Sequence, residues 1–403
     1  MGERTATPVR GDVLTEAEEL RRALVAEKHA QAVSLLRDHD LDCWLTFQRE
    51  GSDLLLPYLL GREELVGTAA LMLFADGPSV AIVADYDASQ AAGLFDEVIP
   101  YALDWREPLQ SLLAERRPRR IAINASEHDH GIDGLTHGLY LTLVAALRPL
   151  GLSDALVPAE PVAARVRAIK TPAEVERIRR ACEITQRIFD DLTAMLRPGL
   201  SESDVHEIVV ERMETYGVGP AWEAETCPAV FAGDTPGGHG APGATRLARG
   251  ERVRLDFGVV SEGYRSDLQR TWYLRAPGET GPPAAIAAEF AAVRDAIDLA
   301  ARSLRPGVRG HEVDAPVRAQ LAAHGLTFSH ALGHQLGRLA HDGGMVLGPD
   351  NARYGARAGG TVEAGMVFTL EPCAGRTNLE EDVVVTDDGC EFLVPPQREL
   401  YLI

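Results

Sequence analysis

The sequence predicts two domains: an α/β domain over 1–163, then an α+β domain over 164–403 whose two halves repeat each other about a pseudo-twofold. Three observations carry this. Strand-like and helix-like stretches alternate through roughly the first 160 residues, the pattern of an α/β layer structure. A strong helix start follows at Thr171. Beyond it, 196-LRPGLSESDVHEIVVERMETYGV-218 recurs as 304-LRPGVRGHEVDAPVRAQLAAHGL-326.

A chain of 403 residues exceeds the size at which one core stops growing, so two cores fit. Apolar residues make up 45% and charged residues 25%, the proportions of a soluble protein. The formal net charge of -20 argues against nucleic-acid or anionic-membrane partners, which need a basic field. Five cysteines, odd in number, scattered and without CxxC, indicate neither a disulfide framework nor a zinc knuckle and fit a reducing cytoplasm. The N-terminal stretch MGERTATPVRGDVLTEAEEL has no apolar signal core, and no apolar run is long enough to span a bilayer.

Taken in order, residues 15 to 39 carry helical periodicity, with Leu20, Leu24, Val33, Leu35 and Leu36 among charges. Strand-like runs follow at Cys43 to Phe47, Thr68 to Phe74 and Ser79 to Ala84, then a helix and Glu97 to Pro100. Arg120 to Asn124, a helix near 131 to 148, and Ala155 to Pro158 complete the first domain, which holds no compelling catalytic set. Its basic run Arg116-Arg117-Pro118-Arg119-Arg120 reads as a solvated turn before a strand, not as a phosphate site. The boundary falls in Val162 to Lys170, ahead of a capping box with Thr171 at the N-cap, Pro172 at N1 and Glu174 at N3. That helix continues on an apolar face through Val175, Ile178, Cys182 and Ile188.

The two copies of the repeat align at a constant offset, Leu196 matching Leu304 and Gly217 matching Gly325 without a gap. Each copy places a Pro-Gly turn after a long helix, then a second amphipathic helix closed by glycine. Two related halves could then line one site.

Candidates for that site begin at 254-RLDFGVVSEGYRSDLQRT-271, a predicted β-hairpin. A turn centred within Ser261-Glu262-Gly263 places Asp256 and Asp267 directly opposite each other on one face, with Cβ atoms roughly 4.5 to 5.5 Å apart. Like charges there repel, and a cation between them removes the penalty. In 329-SHALGHQLGRLAHD-342 three histidines fall at 330, 334 and 341 among glycines. Strands over Met366 to Glu371 and Glu380 to Thr386 each carry an acid at one end. His239 sits in the glycine loop 235-TPGGHGAPG-243, which has no GK[ST] or GxGxxG signature for phosphate. An oxygen-rich set with one imidazole suits divalent ions such as Mn, Co, Zn or Fe.

LDFG, SDLQRT eleven residues on, GHQLG, TLEP and EEDVVVTDDG together resemble the signature of the pita-bread metallopeptidases, the family of methionine aminopeptidase, aminopeptidase P, prolidase and metal-free creatinase. The first domain resembles the creatinase or prolidase N-terminal domain. The resemblance implies metal ligands Asp256, Asp267, His334, Glu371 and Glu380, with Asp267 and Glu380 bridging two ions, manganese first and Co, Zn or Fe as alternatives. Strand alternation leaves Glu380 and Glu381 undecided, whereas the family spacing of six residues before Thr386 selects Glu380. Glu371 is then the proton shuttle, and His239, His330 and His341 orient substrate and stabilise the oxyanion.

The implied activity is hydrolysis of the Xaa-Pro bond of short proline-containing peptides, as dipeptidase or aminopeptidase, in a cytoplasmic homodimer. Departures touch the substrate pocket. Asn378 stands where the relatives carry arginine two residues before the bridging glutamate, the 371–380 connection is short, and Gly343-Gly344 follow Asp342. The alternatives are a same-scaffold hydrolase or lyase acting on a small non-peptide metabolite, and a non-catalytic binding protein. Retention of all five ligand positions disfavours the second, as it does a creatinase-like metal-free enzyme.

Overall fold

The computed structural model describes residues 15–127, 129–233, 235, 237, 238 and 240–403. The chain divides into two compact units, Met1–Val166 and Arg167–Ile403.

In the first unit, β1 (Cys43–Gln48), β2 (Ala69–Phe74), β3 (Val80–Ala84), β4 (Glu97–Tyr101), β5 (Ile121–Ile123) and β6 (Leu156–Pro158) form one sheet ordered β4-β3-β2-β1-β5-β6. Antiparallel β1–β2 and β2–β3 pairs are flanked by parallel ones. Alternate residues enter two separate cores: Trp44, Leu71 and Val83 one, Leu45, Met72 and Ile82 the other. Covering on both faces is why these strands read as continuous apolar runs. The first helix spans Glu16–Asp38, capped by Thr15, and a later one His137–Leu147, capped by Thr136. The basic run is a turn pinned on Asp42, whose Oδ2 accepts from the Arg119 and Arg120 backbone N–H groups at 2.6 and 3.0 Å. The stretch read as a domain boundary contains a further helix, Glu160–Ala168.

In the second unit, the Pro172–Met195 helix carries the Thr171 capping box and buries Ile178, Cys182, Ile188 and Phe189. The repeat is visible in the helices. Pro172–Met195 and Ala284–Ser303 are followed by Glu202–Tyr216 and Gly310–Ala323, in register with the offset between the two sequence copies. Gly217 and Gly325 close the second helix of each pair at φ 69 and 71, where only glycine is unstrained.

Short strands follow: β7 (Gly219–Pro220), β8 (Ala229–Ala232), β9 (Glu251–Phe257), β10 (Val259–Ser261), β11 (Tyr264–Arg265), β12 (Leu268–Leu274), β13 (Gly333–His334), β14 (Val346–Leu347), β15 (Val367–Leu370), β16 (Glu381–Val385), β17 (Cys390–Phe392) and β18 (Tyr401–Leu402). They assemble as β18-β12-β9-β8, β11-β10-β7, β13-β14 and β15-β16-β17. Bridges Gln269–Glu380 and Gln335–Phe368 tie these sheets together. Phe189 packs on Phe257 at 4.5 Å and on Trp272 at 5.7 Å between ring centroids, fixing the back of the β9–β12 pair against the long helix.

Candidate metal centre

The predicted hairpin forms, with its turn centred one residue later than expected and the cross-strand partner of Asp256 displaced by two residues. Asp256 pairs with Gln269 and Leu268 with Phe257, so Asp256 and Asp267 are diagonal neighbours, not directly opposed. The turn is the two-residue Glu262-Gly263, with Ser261 against Tyr264 and φ of 51 and 79, the paired positive values of a tight hairpin turn. The carboxyl groups meet nonetheless. Burial pushes both up, Asp256 to about 7 and Asp267 well above the usual carboxylate range, the latter also through the charge of Asp256.

The close approach has a local cause. A Cβ on Gly258 would fall 1.7 Å from the Ser266 carbonyl oxygen, so only glycine lets the chain pass where β9 gives way to β10. Gly333 does the same beside His334, where a Cβ would meet Thr369 O at 1.9 Å. That contact lets the His334 N–H donate to Thr369 Oγ1 at 3.2 Å, and the following turn gives its ring Nδ1 the Gln335 carbonyl at 3.2 Å.

Ligand atoms of Asp267, His334 and Glu380, all buried, lie within 4.8 Å of one another. His334 Nε2 is 3.8 Å from Asp267 Oδ2 and 3.6 Å from Glu371 Oε1. Glu371 follows the last residue of β15, its backbone N–H donating to Leu332 O at 2.8 Å, and its side chain keeps 18% exposure. All five residues expected to bind metal therefore converge. Glu371 and Glu380 are pushed well up, by burial first and then by neighbouring acids. His334 is lowered to about 3 by burial and by His341, so its ring is neutral.

The adjacent glutamates part company here. Glu380 Oε2 accepts from Gln269 Nε2 at 2.7 Å, while its Oε1 is buried without a hydrogen-bond partner among the described residues, as is Asp256 Oδ1. Glu381 turns the other way, onto Arg270 Nη1 at 3.1 Å and the Gln397 N–H at 2.8 Å. Orphaned buried carboxylate oxygens are costly unless something cationic meets them. With a neutral imidazole beside them they make a donor set that fits divalent ions.

The remaining histidines differ. The His341 ring packs 4.3 Å from that of His334. His330 stacks on Phe328 at 5.2 Å and its Nδ1 meets Ala331 O at 2.7 Å. His239 lies outside the described residues. Asp342, next to His341, is a structural anchor, buried against Lys170 at 3.1 Å and Arg167 at 3.4 Å.

Three residues supporting the cluster escaped the sequence reading. Gln269 holds Glu380 and accepts from Asn378 Nδ2 at 2.8 Å. Asp382 Oδ2 accepts the Asp267 N–H at 3.0 Å and approaches Cys182 Sγ at 3.1 Å. Arg254 is buried two residues before Asp256. Alternation was the available signal: Gln269 shares a face with Asp267, Asp382 with Glu380, and Arg254 with Asp256.

The family model for metallopeptidase family M24 matches residues 176–387. An uncharacterized peptidase of Bacillus subtilis, YqhT, is 28% identical over 67% of this chain and 73% of its own length. An uncharacterized peptidase of Staphylococcus saprophyticus is 32% identical, with 57% of this chain matching 63% of that one. Among solved structures, a Xaa-Pro dipeptidase from Bacillus anthracis aligns with TM-score 0.73 and 22% identity over 94% of this chain and all of that one. A Thermotoga maritima X-Pro aminopeptidase gives 0.72 and 22% over 90% and 98%, and a Pyrococcus horikoshii prolidase 0.69 and 21% over 93% and 99%. At these identities the solved structures establish a shared fold.

Proposed function

This chain belongs to metallopeptidase family M24, and from that premise we propose that it hydrolyses the Xaa-Pro bond of short peptides, as dipeptidase or aminopeptidase, with two divalent ions held by Asp256, Asp267, His334, Glu371 and Glu380. The observation that carries this reading is the convergence of orphaned acid oxygens on a neutral buried imidazole. Bound divalent ions, manganese first, would polarise the scissile carbonyl and lower the pKa of the attacking water.

The protein's own groups do the rest. Gln269 holds one oxygen of Glu380 and leaves the other free for the centre. Asp382 fixes the backbone at Asp267. Glu371, raised by burial and still 18% exposed, can hold a proton at the rim and pass it to the leaving nitrogen. His341 packs on His334, and with His330 and His239 is proposed to orient the substrate and stabilise the oxyanion.

A cytoplasmic homodimer belongs to the same proposal. Among the described residues no helix is long and apolar enough to cross a membrane. One observation keeps a second reading open: Asn378, in place of arginine, is engaged with Gln269, so the pocket is rebuilt where a peptide would be held. A small amide or related metabolite is the substrate on that reading.

Both are tested by incubating metal-stripped and manganese-loaded protein, wild type and Glu380→Ala, with Xaa-Pro dipeptides, longer Xaa-Pro peptides and small amides. Metal-dependent cleavage of an Xaa-Pro bond by wild type alone supports the first reading. Turnover restricted to small amides transfers the assignment to the second.

A further inference from the structure

His330 lies between the Gly310–Ala323 helix and β13, on a stretch with no helix or strand of its own. Its backbone still has to be held, because a carbonyl turned away from water needs a donor. At the C-terminal end of the stretch β15 supplies one. Gln335 bridges Phe368, and in the same register Leu332 O accepts the Glu371 N–H at 2.8 Å. There the ladder stops. Pro372 has no N–H to give, and that of Cys373, next in register for His330 O, turns back to Glu371 O at 2.6 Å.

Arg318 takes over where the strand ends. Nη2 donates to His330 O at 2.5 Å and Nη1 to Phe328 O at 2.7 Å, so with Leu332 every second carbonyl from 328 to 332 is satisfied. Nε donates to Asp314 Oδ2 at 2.6 Å, one turn back on the same helix. The flat face of the guanidinium covers the Phe328 ring, 4.0 Å from its centroid, and this is the ring on which His330 stacks. Asp314 is buried along with Val313, Val317 and Leu321, so the pair stands on a fixed platform. Every group of the guanidinium is thus committed to the segment that carries His330 or to the acid that aims it.

We propose that Arg318, held by Asp314, is a positioning residue of the site: it fixes the backbone at His330 and the Phe328 ring beside it, and so sets where the imidazole meets the substrate. The inference rests on the peptidase reading for what His330 does, whereas the placement of the ring is equally a property of the metal-free protein. Lysine cannot take the place of Arg318. Its ammonium is a point charge on a flexible stem, without the fork that reaches an acid and two carbonyls at once or the plane that covers a ring.

The test uses full-length wild type and Arg318→Lys, each with and without His330→Gln. In metal-free protein labelled on the histidine rings, the His330 resonances are identified by their loss in His330→Gln. They should move by more than their line width in Arg318→Lys, while those of His206 and His311 stay in place. In manganese-loaded protein Arg318→Lys should lower kcat/KM for an Xaa-Pro peptide by up to about a hundredfold, the effect of misplacing a group by about 1 Å, with manganese affinity unchanged. In the His330→Gln background the same substitution should cost about twofold or less, because the group it places is gone. Equal losses in both backgrounds, or unmoved His330 resonances, overturn the proposal. So does displacement of the His206 and His311 resonances alongside them, the mark of a general packing role. If Arg318→Lys does not fold, Asp314→Asn replaces it: the weakened hold on Nε should move the His330 resonances in the same selective way, and their constancy overturns the proposal. Wild type that cleaves no Xaa-Pro peptide removes the peptidase reading and leaves the resonances to decide the placement of His330.

Discussion

Glu380 and Glu381 are neighbours in sequence, equally buried, and opposite in role. Glu380 leaves one oxygen unsatisfied beside Asp267 and His334, whereas Glu381 compensates the fully buried Arg270. Removing Glu381 strands a guanidinium, and breaking a buried pair from one side costs about 3 to 5 kcal/mol. Glu381→Ala should therefore lower the denaturant midpoint strongly, while whatever protein folds still binds metal. Glu380→Ala removes one of several mutually repelling acids, so metal-free stability should hold or rise while manganese affinity falls. Paired urea titrations and calorimetric manganese titrations check both, and equal stability losses would refute the division of labour. Strand alternation could not separate the two residues, since it leaves each on one face without saying which face is the site. What separates them are the partners Gln269 and Arg270, adjacent residues on another strand that face opposite ways.

At the scale of the element, the β9–β12 pair was legible as two strands and a turn, because apolar and polar residues alternate through Val253 to Phe257 and again after Tyr264. Its register was not. Ser261-Glu262-Gly263 reads as the centre, yet Glu262 accepts φ 51, a conformation its residue type rarely signals, and the turn tightens to two residues. Moving the turn centre by one residue moves the cross-strand partner by two and puts Gln269 opposite Asp256, where it braces Glu380. Residues that support a ligand in this way typically matter about 10- to 100-fold in metal affinity. Gln269→Ala should weaken manganese binding by roughly that factor while the metal-free melting temperature changes little; an unchanged calorimetric affinity would assign Gln269 to packing alone. Gly258→Ala should act differently. Its Cβ cannot occupy a point 1.7 Å from a carbonyl oxygen. The strands must then separate, at a cost of about 3 kcal/mol and with metal binding lost as well. Thermal unfolding with and without manganese distinguishes the two variants.

Across the whole molecule, the residues assembled at the acid cluster belong to Arg167–Ile403, while the six-stranded sheet belongs to Met1–Val166. The repeat that organises the second unit was readable because helix ends obey local rules, proline and glycine recurring at the same offset; the pairing of its short strands depends on distant contacts that no local pattern reports. The division has a thermodynamic consequence. Asp256 is raised to about 7 and Asp382 to about 8, both mainly by burial, against about 4 for an unfolded carboxyl. The metal-free fold thus holds protons that the unfolded chain has released, and its stability declines as pH rises from about 4 through 8. His334, lowered to about 3, is neutral throughout this window. Metal binding displaces those protons, so its stabilisation grows with pH, reaching about 4 kcal/mol when free metal exceeds Kd about a thousandfold. Calorimetric melting of chelator-treated protein should give a lower midpoint at pH 8 than at pH 6 for the second unit's transition, with manganese raising it more at pH 8. The first unit's transition should not follow manganese, since the acid cluster lies in the second unit. A manganese shift of equal size at both pH values would show that the ions do not compete with protons for this cluster.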